Sequence, residues 1–216
     1  MSEPDVVSIH VLELLASKIC HDLISPVGAV SNGVEILEEL GADAGDDVTN
    51  LISFSATQAS SKLKTMRMAY GLGGSDDSIK MEDVHQLFAD YIAGEKRLSQ
   101  DWDPYADLGV EPQRALAKMV LCGLLLVVEA LPKGGVLSVT AGDQAGDILV
   151  KGTGENAGFR DGFKEAIDQS ADVEDLSPKL VHGYVTGLLA KHYDYGLRIE
   201  EAEDSVHLIV SAPPAA

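Results

Sequence analysis

Of the six histidines in the chain, His21 has the neighbours that nucleophilic chemistry requires. A neutral imidazole is the side chain best suited to attack near neutral pH, and Asp22, next in sequence, can accept a hydrogen bond from the second ring nitrogen and fix the tautomer. Lys18 lies one helical turn earlier, where it can neutralise charge on a transferred phosphoryl group. His21 is therefore read as a nucleophile and Asp22 as its catalytic partner. With each residue advanced about 100° around a helix, His21 falls almost opposite a stripe of Leu12, Ile19, Leu23, Val30 and Leu37, and so points to solvent. Its own face carries Leu14, Ser17, Lys18, Ser25, Gly28 and Asn32, a shallow surface that another protein can approach. Lys18, Ser25, Gly28 and Asn32 are candidate partner contacts, although the last three read equally well as solvated positions. A shared metal is excluded for the nearest histidine pair: His10 and His21 would stand roughly 16 Å apart along one helix.

Positioning such a site calls for a long, regular element. Apolar residues recur at three- and four-residue spacing from Leu12 to Leu37, and Gly41 is placed to end that helix. Asp46 or Asp47 can cap a second helix whose apolar face reads Val48, Leu51, Ile52, Ser55, Ala59, Leu63 and Met66. The two should form a hairpin. Neither stripe can be buried within one hairpin, so pairing with a second copy into a four-helix bundle is expected, making the chain a homodimer. Gly71 to Asp77 has linker composition, which divides the chain into a helical hairpin at 1–74 and a second domain at 75–216.

In that second domain the pattern predicts a helix near Met81 to Ala93, a strand near Arg97 to Trp102 and a longer helix from Pro112 to Leu131. Strands follow at Gly135 to Ala141 and Ile148 to Gly152. Pro178 is placed to open a helix through Lys191, and Tyr195 to Glu200 with Ser205 to Val210 read as a closing hairpin. The expectation is an α/β domain, one sheet covered by helices.

Composition narrows the partners. Sixteen Lys and Arg against 35 Asp and Glu give a formal charge of −19, so nucleic-acid phosphates would be repelled and no nucleic-acid partner is expected. The longest apolar run, Met119 to Val128, is about half of the roughly 20 residues that span a bilayer. No membrane association is expected, and the acidic start, Met-Ser-Glu-Pro-Asp, is unlike a secretory signal, which points to the cytoplasm. Cys20 and Cys122 lack the spacing of a zinc site or disulfide framework and read as reduced packing residues.

Pro26, well inside the first helix, removes a backbone donor at a cost of roughly 3 kcal/mol unless something compensates. The segment His21-Asp22-Leu23-Ile24-Ser25-Pro26 resembles the histidine box of bacterial sensor kinases. Extended through Val27-Gly28-Ala29-Val30-Ser31-Asn32-Gly33, it is similar to ChpT-type histidine phosphotransferases. That resemblance implies a dimeric four-helix bundle followed by a histidine-kinase-like α/β sandwich whose nucleotide site is degenerate. Sensor kinases hold Mg-ATP through an asparagine on the main helix of that domain and an Asp-x-Gly turn. Here the matching helix, Leu121 to Pro132, offers only Glu129 as a polar side chain, and Lys151 to Asn156 lacks the aspartate. Gly134-Gly135 reads as an ordinary turn. The resemblance thus implies phosphoryl relay between receiver domains of a hybrid kinase and of response regulators, with no cofactor of the chain's own and Mg supplied by the receiver. An atypical autokinase and a non-catalytic scaffold that binds response regulators are the alternatives.

Overall fold

A computed structural model of the chain describes residues 7–214, the side chain of Ala42 excepted; the acidic start from Met1 to Asp5 lies outside them. Helix α1 (Ile9–Leu40) begins at Ser8, whose hydroxyl accepts the His10 N–H, and ends at Gly41 with φ of 53°. Helix α2 (Gly45–Tyr70) runs back along it. The two approach closely at Gly33, where a Cβ would stand 2.5 Å from Ile52 Cγ1. No side chain caps α2: Asp46 and Asp47 sit inside its first turn, where their charge favours the helix dipole instead of closing the end. The buried face of α2 keeps Ser55 and Met66 of the expected one but is otherwise more polar. Ser55, Gln58, Ser61 and Thr65 are buried, whereas Leu51 and Leu63 are exposed.

The glycine-rich segment after α2 is ordered at Gly74, which is buried, while Leu72, Gly73, Asp76 and Asp77 are exposed. It forms a short 3-10 turn at Leu72–Ser75, and Lys118 reaches it from below. The Lys118 ammonium, 1% exposed, donates to the Ala69 and Gly71 carbonyls at 3.1 and 2.6 Å, satisfying acceptors at the end of α2. Burial lowers the pKa of Lys118.

Next come α3 (Met81–Ile92), β1 (Leu98–Gln100), α4 (Leu116–Glu129), β2 (Gly135–Ala141) and β3 (Asp147–Thr153). The chain closes with α5 (Phe163–Ile167), α6 (Val181–His192), β4 (Gly196–Ala202) and β5 (Ser205–Ser211). Helix α4 starts after Pro112 because Ala115 takes a left-handed φ of 65° that breaks the helix. Helix α6 starts after Pro178, which lies within a turn closed by the Leu180 N–H on the Ser177 carbonyl.

The five strands form one sheet in the order β1-β2-β3-β5-β4, parallel only between β1 and β2. Alternate residues of the strands, among them Leu137, Val139, Ile148, Val150, Val206 and Leu208, are buried. Helix α4 crosses at Gly123, where an added Cβ would meet Val150 at 3.1 Å and Leu208 at 3.2 Å. Every residue of α4 from Leu116 to Val127 is buried. Side chains of this kind stabilise by roughly 1.5–3 kcal/mol each, which explains why α4 has no polar face.

The hairpin is anchored to this layer at its open end. Val11, 1% exposed, packs with Leu176, Val181, Tyr184 and Val185, and His10 Nε2 lies 3.4 Å from the Leu176 carbonyl. Among the described residues no helix is long and apolar enough to cross a membrane.

Candidate functional site

One turn beyond His21, Pro26 has no N–H to give the Asp22 carbonyl, so the α1 ladder is interrupted at Asp22. The His21 side chain is 85% exposed, and its Nδ1 lies 3.4 Å from Asp22 Oδ1. With the proton on Nδ1, the lone pair of Nε2 is free for attack. The helix therefore delivers what the sequence spacing promised: an outward imidazole with a carboxylate beside it.

Lys18 is placed differently from expectation. Its Nζ lies 3.3 and 3.2 Å from the two oxygens of Asp22 and 3.4 Å from Glu129 Oε1 on α4, so it bridges two carboxylates instead of standing free for a phosphoryl group. Glu129 is in turn 3.1 Å from Nδ1 of the buried His182, close enough for an ion pair but too oblique for an aligned hydrogen bond. Nε2 of His182 and the Tyr70 hydroxyl are buried without hydrogen-bond partners, and the two rings lie 5.3 Å apart.

Burial works against ionisation of Glu129, yet the close contact of His182, with help from Lys18, holds its carboxyl below the usual range. Burial raises the Tyr70 and Tyr91 hydroxyls, and the charges of Asp22 and Glu129 add to the effect. These side chains come from α1, α2, α3, α4 and α6.

An open cleft of about 430 Å³ flanks His21, lined by Ser17, Lys18, His21, Glu129, Arg160, Pro178 and Lys179. Arg160 and Lys179 place two exposed cations there on an otherwise acidic chain. Sequence reasoning missed both, because they lie in loops about 140 and 160 residues away with no local motif; only the fold brings them to the histidine. Ser25 and Asn32 are exposed along the same helix, and Gly28 is half-buried with nothing within 4 Å of where a Cβ would stand.

The region between the end of α4 and the segment after β3 is filled. Phe159 and Phe163 stack at 4.5 Å with an interplanar angle of 11°, beside Leu126, Glu129 and Ala130. The cavity left there is about 10 Å³, room for about one water. Gly134, with φ of 87°, is the close approach that sets β2 beside the β1 edge, since a Cβ would stand 2.2 Å from the Arg97 carbonyl. That is the turn expected from sequence. Among the described residues no group of three or more His, Cys, Asp or Glu side chains is arranged to hold a metal.

Comparison with known proteins agrees with this geometry. Residues 81–205 match the family described as histidine phosphotransferase C-terminal domain. The chain is 34% identical over 202 residues to protein phosphotransferase ChpT of Brucella abortus (strain 2308), covering 92% of this chain and 93% of that protein. The 1.7 Å structure of a bacterial phosphotransferase superposes with a TM-score of 0.73 at 29% identity, covering 97% of this chain and all of that one. The chain belongs to the ChpT-type histidine phosphotransferase family.

Proposed function

We propose that this histidine phosphotransferase takes a phosphoryl group onto His21 from an aspartyl phosphate of one receiver domain and passes it to the aspartate of a second. The observation that carries the reading is the imidazole of His21, exposed on a long helix with Nδ1 turned toward Asp22. The Nε2 lone pair forms the N–P bond as the P–O bond to the receiver's aspartate breaks, its electron pair leaving on that carboxylate. Positive charge appearing on the ring is balanced by Asp22 through the Nδ1 proton. The return step reverses these changes on a second receiver. Magnesium for the receiver's phosphate comes with the receiver. Arg160 and Lys179, beside the cleft, suit an approaching anionic partner.

The chain does this as a homodimer in the cytoplasm, its hairpin, residues 1–74, pairing with a second copy and residues 75–216 serving as a folded platform. Val27 and Val34 on α1 and Leu51 and Phe54 on α2 support the pairing, since all four are large apolar side chains left exposed on the hairpin. ATP plays no part. The filled space around Phe159 and Phe163 and the lack of an asparagine on α4 favour this over an autokinase.

The test is transfer from a panel of receiver domains charged with acetyl phosphate, with no nucleotide present. Phosphate should appear on His21. Labelling that requires Mg-ATP and ignores every receiver would replace this reading with the autokinase.

A further inference from the structure

We infer that Glu129, steadied by His182, is a positioning residue for His21 that acts through Lys18 and Asp22; the inference rests on phosphotransfer at His21. The Lys18 ammonium is shared, 3.2 Å from Asp22 and 3.4 Å from Glu129. An exposed Lys–Asp pair one turn apart on a helix is weakly held, because the long lysine side chain has many rotamers. Glu129 removes that freedom by holding the ammonium on the second-domain side. Two consequences follow for the nucleophile. Asp22 is fixed beside Nδ1 of His21, and its charge is only partly neutralised by Lys18, so it remains a strong acceptor for the ring proton.

The composition of the buried cluster supports a role in chemistry over one in packing alone. His182 is 3% exposed, yet one ring nitrogen has no partner and the other meets Glu129 obliquely. An apolar side chain of similar volume would avoid that cost and hold the helices together as well. What an apolar residue cannot do is anchor the Glu129 carboxylate. Helix α4 is buried from Leu116 to Val127 and apolar there apart from Lys118, and its one acidic residue stands at the end that faces His21. The second domain thus reaches the phosphorylated helix through an ionic arm, His182 to Glu129 to Lys18 to Asp22.

The test compares single-turnover labelling of His21 by phosphoramidate, which needs no docking, with labelling by a receiver domain charged with acetyl phosphate. Glu129→Ala should slow both by on the order of tenfold while leaving the half-saturating receiver concentration unchanged. Glu129→Gln, which keeps the shape and loses the charge, should fall between Glu129→Ala and the native protein. In a Lys18→Ala background Glu129→Ala should have no further effect, because the arm is already cut. If Glu129→Ala does not fold, Glu129→Gln carries the same comparisons. Equal slowing in the Lys18→Ala background, slowing with the receiver alone, or no slowing would each overturn the inference. A native protein that takes no phosphate on His21 from either donor would instead sink the phosphotransfer reading beneath it.

Discussion

The two halves of the molecule spend their apolar residues in opposite ways. In the α1–α2 hairpin large side chains such as Val27, Val34, Leu51 and Phe54 stay exposed, while small polar residues such as Ser55, Ser61 and Thr65 are buried. In the sheet domain α4 buries every residue from Leu116 to Val127, and the space beyond its end is closed by stacked Phe159 and Phe163. A surface that stays apolar when folded suits contact with another protein, whereas the space beside Phe159 and Phe163 holds no more than about one water. The contrast fits the proposed function, in which the hairpin carries the phosphoryl group and the sheet domain supports it. The ionic cluster of Lys18, Asp22, Glu129 and His182 crosses between them, beside the apolar packing of Val11 and the Lys118 hydrogen bonds.

The sharpest way to break this comparison is to make the hairpin as polar outside as an ordinary surface. Leu51→Asp with Phe54→Asp should convert the proposed homodimer wholly to monomer at micromolar concentration, read by light scattering, with the sheet domain still folded; an unchanged mass would show that the exposed face is not the dimer contact. Asp22→Asn comes next. It keeps a hydrogen-bonding group and removes the charge that balances the ring, so phosphoryl transfer should slow by about 10²–10⁴-fold while receiver affinity holds. Rapid-quench kinetics at saturating receiver would check the rate.

Gly28→Phe should do the reverse. Nothing lies within 4 Å of the new Cβ, so the helix tolerates it, but the ring obstructs the face proposed for the receiver. Receiver affinity should fall by roughly tenfold, about 1.4 kcal/mol, measured by titration, with phosphoramidate labelling of His21 unchanged. The smallest effect is on acid stability. The Glu129 carboxyl is held below its ordinary value of 4.5, so its stabilisation is present above that value and is lost as pH falls through the lower folded value. The stability advantage of the native protein over Glu129→Gln, followed as thermal midpoints from about pH 6 down to about pH 3, should therefore shrink toward the acid end.

The hairpin site was largely legible in the sequence, because one helical period fixes where His21 and Asp22 must point; the expected apolar stripe was not, since Leu12 is exposed and the buried residues of α1 are Val11 and Gly33. The sheet was legible for the same reason of regular alternation: β2 and the closing pair β4 and β5 fall within one or two residues of their expected bounds. Three things were hidden. The cationic loop residues Arg160 and Lys179 carry no local pattern. The buried cation that ties down the end of α2, Lys118, lies more than 40 residues later, so the sequence shows only the linker composition that follows. Lys18 looked free because its second partner, Glu129, is on another element. Each depends on contacts between distant segments, which composition and periodicity do not encode.

The most direct test of the central claim is to locate the phosphate after exposure to charged receiver domains without ATP, by mass spectrometry of the peptide that carries His21 under conditions that preserve phosphohistidine. The native protein should carry an acid-labile phosphate on His21, and His21→Ala should carry none, because no neighbouring side chain offers a nucleophile with an ordinary pKa near neutrality. Acid-labile phosphate on His21→Ala at the native level would contradict the assignment.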